Sequence, residues 1–155
     1  MDKYQETFET WNKIADLYQD KFMDMDLYNE SYGLFCNSIP SNAKILEIGC
    51  GPGNITKYLL SKSPDFEIMG VDVAPKMVEL ARINNPSASF KVMDGRRIAD
   101  LKERYHGIIC GFFLPFLSET DTEKFITDAH NLLLKNGLLY LSFAEGNPAD
   151  SGFKT

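Results

Sequence analysis

The chain has 155 residues, 44% hydrophobic and 25% charged, a length and balance that predict a single globular domain with a sizeable core. Its net charge of −6 argues against a nucleic-acid backbone as partner, because such binding needs a basic face. No stretch has the length and apolarity of a membrane-spanning helix, which argues against a membrane partner.

The first residues, "MDKYQETFET", are polar and mixed in charge, and they lack the charged n-region and apolar h-region of a secretory leader. Up to Pro40 the sequence reads as helical. Phe8, Trp11, Ile14, Ala15, Tyr18 and Phe22 recur at spacings of three and four, the mark of an amphipathic stripe. A second helical piece is predicted from about Leu27 to Ser38, and "IPSNA" supplies a turn.

Strands and helices then alternate. "AKILEIG" reads as a buried strand and "NITKYLLSK" as a helix ended by the Ser-Pro of "KSPD". "FEIMGVDV" is a strand, and "APKMVELARIN" a helix with Pro75 at its first position, where a missing N–H does no harm. "ASFKVMD" is a strand, "GRRIADLKERY" a loop or short helix, and "GIICGFF" a strand. "SETDTEKFITDAHNLLLKNG" is a helix, with Thr120 and Glu123 spaced as a capping box and Gly137 at its stop. "LLYLSFAE" is the fifth strand. Apolar strands alternating with helices predict a doubly wound, mostly parallel α/β sheet of Rossmann-like type, three layers thick, in strand order 3-2-1-4-5. Its ligand belongs outside the carboxyl ends of the strands, where the winding reverses.

"EIGCGPGN" sits there. A phosphate-binding P-loop requires G-x-x-x-x-G-K-[ST], and no lysine follows these glycines until Lys57. A dinucleotide turn requires G-x-G-x-x-G, and Asn54 stands where the third glycine is needed. The turn is G-x-G-x-G at Gly49, Gly51 and Gly53, with Glu47 two residues ahead. Gly49 and Gly51 allow unusual dihedrals and close approach of backbone to ligand. A carboxylate at Glu47 repels a pyrophosphate and attracts a cationic group.

The same residues resemble a known family. "ILEIGCGPGN" is similar to the first motif of class I S-adenosylmethionine-dependent methyltransferases. "MGVDVAPKMVELAR" resembles the second strand, its acidic end and the next helix. "FKVMDGRRI" resembles the third strand with its acidic end, and "GIICGFFLPFL" and "LLLKNGLLYLSFAEG" resemble the fourth and fifth strand regions. The likeness covers roughly Asn42 to Gly146 and implies S-adenosylmethionine as cofactor. Asp72, about twenty residues after Gly49, is placed to accept from both ribose hydroxyls, a device that NAD-binding folds share. The resemblance implies contact of Asp94 and Gly95 with the adenine. It implies that Gly49, Cys50, Gly51 and Gly53 cradle the methionine moiety, with Glu47 beside it. It implies that Cys110, Gly111 and Phe112 border that moiety, and that Val73 and Met77 line the site. A tyrosine matching Tyr18 often lies near the cofactor in such enzymes.

Plainer roles stand beside these: a tight turn for the glycines, a helix cap for Asp72, a loop position for Asp94, filler for Cys50 and a structural place for His130. His106 departs from the family, which commonly has an acid before the fourth strand. Arg96 and Arg97 read as a solvated face or a carboxylate clamp. Three cysteines without a C-x-x-C pair favour reduced thiols and a cytoplasmic location, and no His/Cys/carboxylate cluster has metal-ligand spacing.

Methyl transfer from a sulfonium is an in-line displacement that needs alignment and exclusion of water more than acid–base help. The sequence names no catalytic base. Phe112, Phe113 and Phe116 beside Pro115 predict an apolar wall, and no Asn-Pro-Pro-Tyr-type tetrapeptide follows the fourth strand. Trp11, Tyr18, Tyr28 and Tyr32 are read either as a lid over the site or as ordinary helix-to-sheet packing. The expected activity is therefore methyl transfer to a small-molecule acceptor, with a non-catalytic cofactor-binding module as the alternative. The single domain, 1–155, divides into a helical lid, 1–40, a cofactor-binding core, 42–146, and a tail, 147–155. The sequence stops after the fifth strand, where the family adds two more. The reading is that the chain is truncated or that another chain covers the edge, with a homodimer through the exposed edge as the expectation.

Overall fold

The computed structural model describes residues 3–150. Six α-helices and five strands occur among them: α1 Lys3–Lys13, α2 Ala15–Phe22, α3 Asn29–Asn37, β1 Lys44–Ile48, α4 Asn54–Lys62, β2 Glu67–Asp72, α5 Pro75–Asn84, β3 Ser89–Val92, β4 Tyr105–Gly111, α6 Glu119–Leu132 and β5 Leu133–Ser142. All strand pairs are parallel and the order is 3-2-1-4-5, as the alternation of elements predicts. Residues 151–155 of the tail read at 147–155 lie outside the described residues.

Alternation along β1 builds the two faces. Ile45 joins Ile68, Ile109, Phe35 and Leu59 in a cluster under α3 and α4. Leu46 and Ile48 join Val71, Ile108, Phe125 and Ala129 under α6. Glu47 shares the face of Ile45, so its carboxyl is sent into the layer beneath α4. The N-terminal stripe breaks at Ile14 (φ −97°, ψ 10°), which splits it into α1 and α2. Both dock on α5. Asn12 accepts from the Lys76 N–H, the Asn84 amide donates to Gln19, and Trp11 and Tyr18 pack on Ala15, Ala74, Met77 and Leu80.

Two expectations at α6 are corrected. Its cap is Ser118, whose Oγ accepts from the Asp121 N–H at 3.1 Å, so Thr120 falls inside the first turn and the Thr120–Glu123 capping box is absent. The helix ends at Leu132, and the chain passes directly into β5, with a register irregularity between the Tyr105–Leu133 and Gly107–Leu138 pairs. Gly137 is therefore not a helix stop. A Cβ there would meet the Leu134 carbonyl oxygen at 2.9 Å, so glycine is required by close backbone approach within the irregularity.

Candidate functional site

At the end of β1 the chain turns through Gly49 (φ 67°) and Gly51 (φ 53°), left-handed conformations that disfavour a side chain. Cross-links to β2 hold the turn. The Cys50 N–H donates to the Val71 carbonyl at 3.0 Å, and the Gly51 N–H donates to Asp72 Oδ2 at 2.9 Å. Asp72 Oδ1 accepts from the Ala74 N–H at 2.9 Å, ahead of α5. Asp72 thus fixes the glycine turn and the start of α5 together. Burial pushes its pKa up, against the lowering effect of the backbone N–H bonds from Ala74, Gly51 and Val73. A carboxylate has about four acceptor positions, so these backbone bonds do not use its full accepting capacity.

Glu47 is 1% exposed. Its Oε1 accepts from Thr56 Oγ1 at 2.5 Å, and among the described residues its Oε2 has no partner. Burial pushes its pKa up to about 8, opposed in part by the Thr56 bond. Burial thus favours the protonated form over the carboxylate that the sequence suggests.

Asp94 lies two residues past the end of β3 and is clamped by Arg96. Its Oδ1 accepts from the Arg96 backbone N–H at 2.9 Å, and its Oδ2 accepts from Arg96 at 2.6 Å. The Arg96 guanidinium lies 3.7 Å from the centroid of the Tyr4 ring, and Tyr4 donates to Asp121 at 2.5 Å. This network ties α1 to the ends of β3 and α6. Arg96 is the carboxylate clamp that the sequence left as one of two readings.

These elements enclose a cavity of about 370 Å³ over the carboxyl ends of β1–β4. Gly49, Gly51, Asp72, Val73, Met77, Asp94, Gly95, Gly111 and Phe112 line it, with Tyr18 from α2 above. Trp11, Tyr28, Tyr32, Phe113 and Phe116 complete the aromatic wall. The structure does not bring Glu47, Cys50, Gly53 or Cys110 to the lining. Glu47 lies under α4, and Cys50 packs with Val78, Ala81 and Phe90 beneath α5. Cys110 points to the α6 face. Gly53 (φ 84°) precedes α4, and its carbonyl accepts from the Asn85 amide at 3.0 Å.

Thr7, Met25, Asn54, Ile55 and Met93 also line the cavity and were not singled out from the sequence. Asn54 and Ile55 had a signal, since they open the helix that follows the glycine turn. Phe22 was visible only as part of the amphipathic stripe. Thr7 and Met25 had none, because their place depends on how α1 and α2 fold over α5.

Residues 45–137 match the model of the family described as "Methyltransferase domain". The chain is 34% identical over 111 residues, 72% of its length, to protein 235L of Invertebrate iridescent virus 6. It is 26% identical over 143 residues, 87% of its length, to the carboxy-S-adenosyl-L-methionine synthase of Campylobacter hominis. These matches cover 40% and 61% of the two relatives, so the chain spans less than two thirds of either. A TehB-like SAM-dependent methyltransferase from Corynebacterium glutamicum superposes with a TM-score of 0.70, at 27% identity, over 92% of this chain and 73% of that one. A glycine turn pinned by Asp72, a second acid at Asp94, the 3-2-1-4-5 sheet and these matches agree: the chain belongs to the class I S-adenosylmethionine-dependent methyltransferase family.

Proposed function

We propose that this chain binds S-adenosylmethionine across the ends of β1, β2 and β3 and transfers its methyl group to a small-molecule acceptor. The observation that carries the proposal is the convergence of Gly49, Gly51, Asp72 and Asp94 on one cavity. The cavity fits the cofactor in kind. It offers carboxylate acceptors at Asp72 and Asp94, and a side-chain-free turn at Gly49 and Gly51. When bound, the cofactor supplies an activated methyl group on a sulfonium. Asp72 holds the ribose hydroxyls, and Asp94 with the Gly95 N–H holds the adenine. The glycine turn, with Gly111 and Phe112 facing it, holds the methionine portion. Val73 and Met77 pack against the adenosyl group. Glu47, Cys50, Gly53 and Cys110 act from behind by shaping the turn and the strand ends. Residues 1–40 are the lid, 42–146 the cofactor-binding core, and 147–155 a tail.

The residues align donor and acceptor and exclude water, with no dedicated base. Isothermal titration calorimetry tests the reading. Micromolar binding of S-adenosylhomocysteine with none of NADH supports it, and the reverse result overturns it. A binding-only module is the second reading, favoured by the absence of histidine, lysine and cysteine from the cavity lining among the described residues. It predicts S-adenosylhomocysteine binding with no turnover across an acceptor screen.

Three further assignments belong to the same proposal. Among the described residues no helix is long and apolar enough to cross a membrane. A cytoplasmic location is supported by three free, buried cysteines. A small-molecule acceptor in place of a nucleic acid is supported by the net charge of −6. A homodimer through β5 is supported by its position at the sheet edge and by Phe143, 59% exposed just beyond it. Size-exclusion chromatography giving a clean monomer counts against the dimer.

A further inference from the structure

The cavity is chemically polarised along the sheet. Asp94 and Asp72 sit at the ends of β3 and β2. Phe112 sits at the end of β4, three strand spacings from β3, about 14 Å away. The lining also carries Tyr28, Tyr32, Phe22 and Met25, of which Tyr28 packs on Phe112 and Tyr32 on Tyr28. The Tyr28 and Phe112 rings lie 5.1 Å apart, inclined at 58°.

Phe112 is held there at a cost. Its φ is 56°, a left-handed conformation that is strained for a non-glycine residue. Its N–H donates to the Ser142 carbonyl at 2.9 Å and reaches Ser142 Oγ at 3.2 Å, so β5 fixes the strained residue. The residue stays 37% exposed and lines the cavity, outside the buried core. Strain that places an aromatic face at a cavity wall points to a ligand contact.

Two chemical facts narrow the ligand. First, among the described residues no lysine, arginine or histidine side chain lines the cavity, whereas Asp72 and Asp94 do. In the product complex, whose sulfur is neutral, an anionic molecule loses its hydration there without a counter-charge from the protein. Second, the lining holds no group suited to take a proton beside Phe112. His106 is committed elsewhere, its Nδ1 accepting from the Lys44 N–H at 2.9 Å. Burial holds the Tyr18 and Tyr32 phenols above their ordinary range, so they stay protonated and are not available to take a proton.

Resting on the methyltransferase reading, with its acceptor at the β4 end of the cavity, we infer that this acceptor is an apolar molecule whose nucleophile is an uncharged nitrogen or sulfur lone pair bearing no proton. The acceptor's lone pair forms the new bond to the methyl carbon as the carbon–sulfur bond of the donor breaks. The broken bond's electron pair stays on sulfur, and the positive charge moves to the acceptor. No proton is released, so no base is required. The aromatic faces attract the growing cation.

Trp11 is the single tryptophan, lines the cavity and packs edge-on against Tyr18 and Phe116 at 5.5 and 5.7 Å, so it reports binding. The protein, saturated with S-adenosylhomocysteine, is titrated with benzyltrimethylammonium, a product-like cation, and with benzoate. The cation is expected to bind about tenfold more tightly than benzoate. Tyr28→Ala is expected to weaken the cation about fivefold while S-adenosylhomocysteine affinity stays within about twofold, and Phe112→Ala, whose ring also faces the methionine portion, is expected to weaken the cation about fivefold and S-adenosylhomocysteine as well. A thermal melt identifies any variant that does not fold, and the other variant then decides. Benzoate binding as tightly as the cation, or a cation affinity indifferent to a folded variant, overturns the inference. Failure of S-adenosylhomocysteine to bind in the first step sinks the cofactor reading instead.

Discussion

The backbone N–H of Gly51 donates to Asp72 Oδ2 at 2.9 Å, which makes the glycine turn after β1 and the acidic end of β2 one structural unit. The other oxygen of Asp72 accepts from Ala74. Asp72→Ala removes the partner of two N–H groups and the proposed acceptor of two hydroxyls. S-adenosylhomocysteine affinity should fall by about 100-fold or more, and stability by about 1–3 kcal/mol. Calorimetry and urea unfolding separate the two effects. A variant that binds as tightly as the parent rules out the role assigned to Asp72.

Much of this unit was legible in the sequence. The bounds of α4 agree residue for residue with "NITKYLLSK", because a glycine turn precedes it and Ser-Pro ends it. Asp72 and Asp94 were visible because they close apolar strands. What was not legible is non-local. Nothing in "EIG" says that Glu47 meets Thr56 and is sealed under α4. Nothing in "GRRI" says that Arg96 turns back on Asp94 and lies under Tyr4. The end of α6 was misplaced because Leu133 and Leu134 continue a helical pattern. Pairing of Leu133 with Tyr105 draws them into β5 instead, a tertiary gain that overrides the local preference.

Buried Glu47 gives stability a pH dependence. Its pKa rises from the ordinary 4.5 to about 8 on folding. The protonated form is the one that folding favours, so the contribution is whole below pH 4.5 and is lost as pH rises through about 8. Asp72, also raised, acts with the same sign. Glu47→Gln keeps the shape and removes the titration. The melting temperature of the parent should therefore drop more than that of Glu47→Gln between pH 6 and pH 9 in parallel scans. Equal drops would mean that Glu47 stays ionised in the folded state.

Gly53 is a test of packing behind the turn. It adopts φ 84°, and a Cβ there would collide with the Asn85 amide nitrogen and meet the backbone of Ala81 at 3.3 Å. Gly53→Ala should cost about 1–3 kcal/mol through strain and displacement of Asn85. Gly146→Ala, with nothing within 4 Å of its Cβ, serves as the control and should stay within about 0.5 kcal/mol. Similar melting temperatures for the two variants would show that the α4–α5 contact yields easily.

Tyr18 sits above the glycine turn, its ring 3.7 Å from where a Gly51 Cβ would lie, and its ring packs on Trp11 and Phe22. Tyr18→Phe keeps those ring contacts and removes only the hydroxyl. Melting temperature should change by no more than about 2 °C, corresponding to less than about 0.5 kcal/mol. Binding of S-adenosylhomocysteine, or turnover once an acceptor is in hand, should fall severalfold. Matching losses in the melt and in binding would make Tyr18 a packing residue and leave Trp11 and Tyr28 to form the lid.

Arg96 joins the proposed adenine end of the site to α1. It holds both oxygens of Asp94, and its plane stacks on Tyr4 and lies 5.9 Å from the centroid of Phe8. The ion pair is partly exposed, 26% on the arginine side chain and 20% on the aspartate, so solvent screening discounts its worth to about 1 kcal/mol or less. Arg96→Ala should therefore lower global stability little. Its effect should concentrate in α1, which has no fully buried residue of its own and depends on such contacts for docking. Hydrogen exchange at the amides of residues 7–13 should accelerate severalfold, with exchange in α5 unchanged. Arg96→Lys should accelerate α1 almost as much, because lysine keeps the charge and loses the planar fork that grips Asp94 and stacks on the ring. If exchange in α1 is unmoved by either variant, the Asn12 bond to the Lys76 N–H and the packing of Trp11 on α5 hold the helix in place. The adenine end and the lid are then independent of one another.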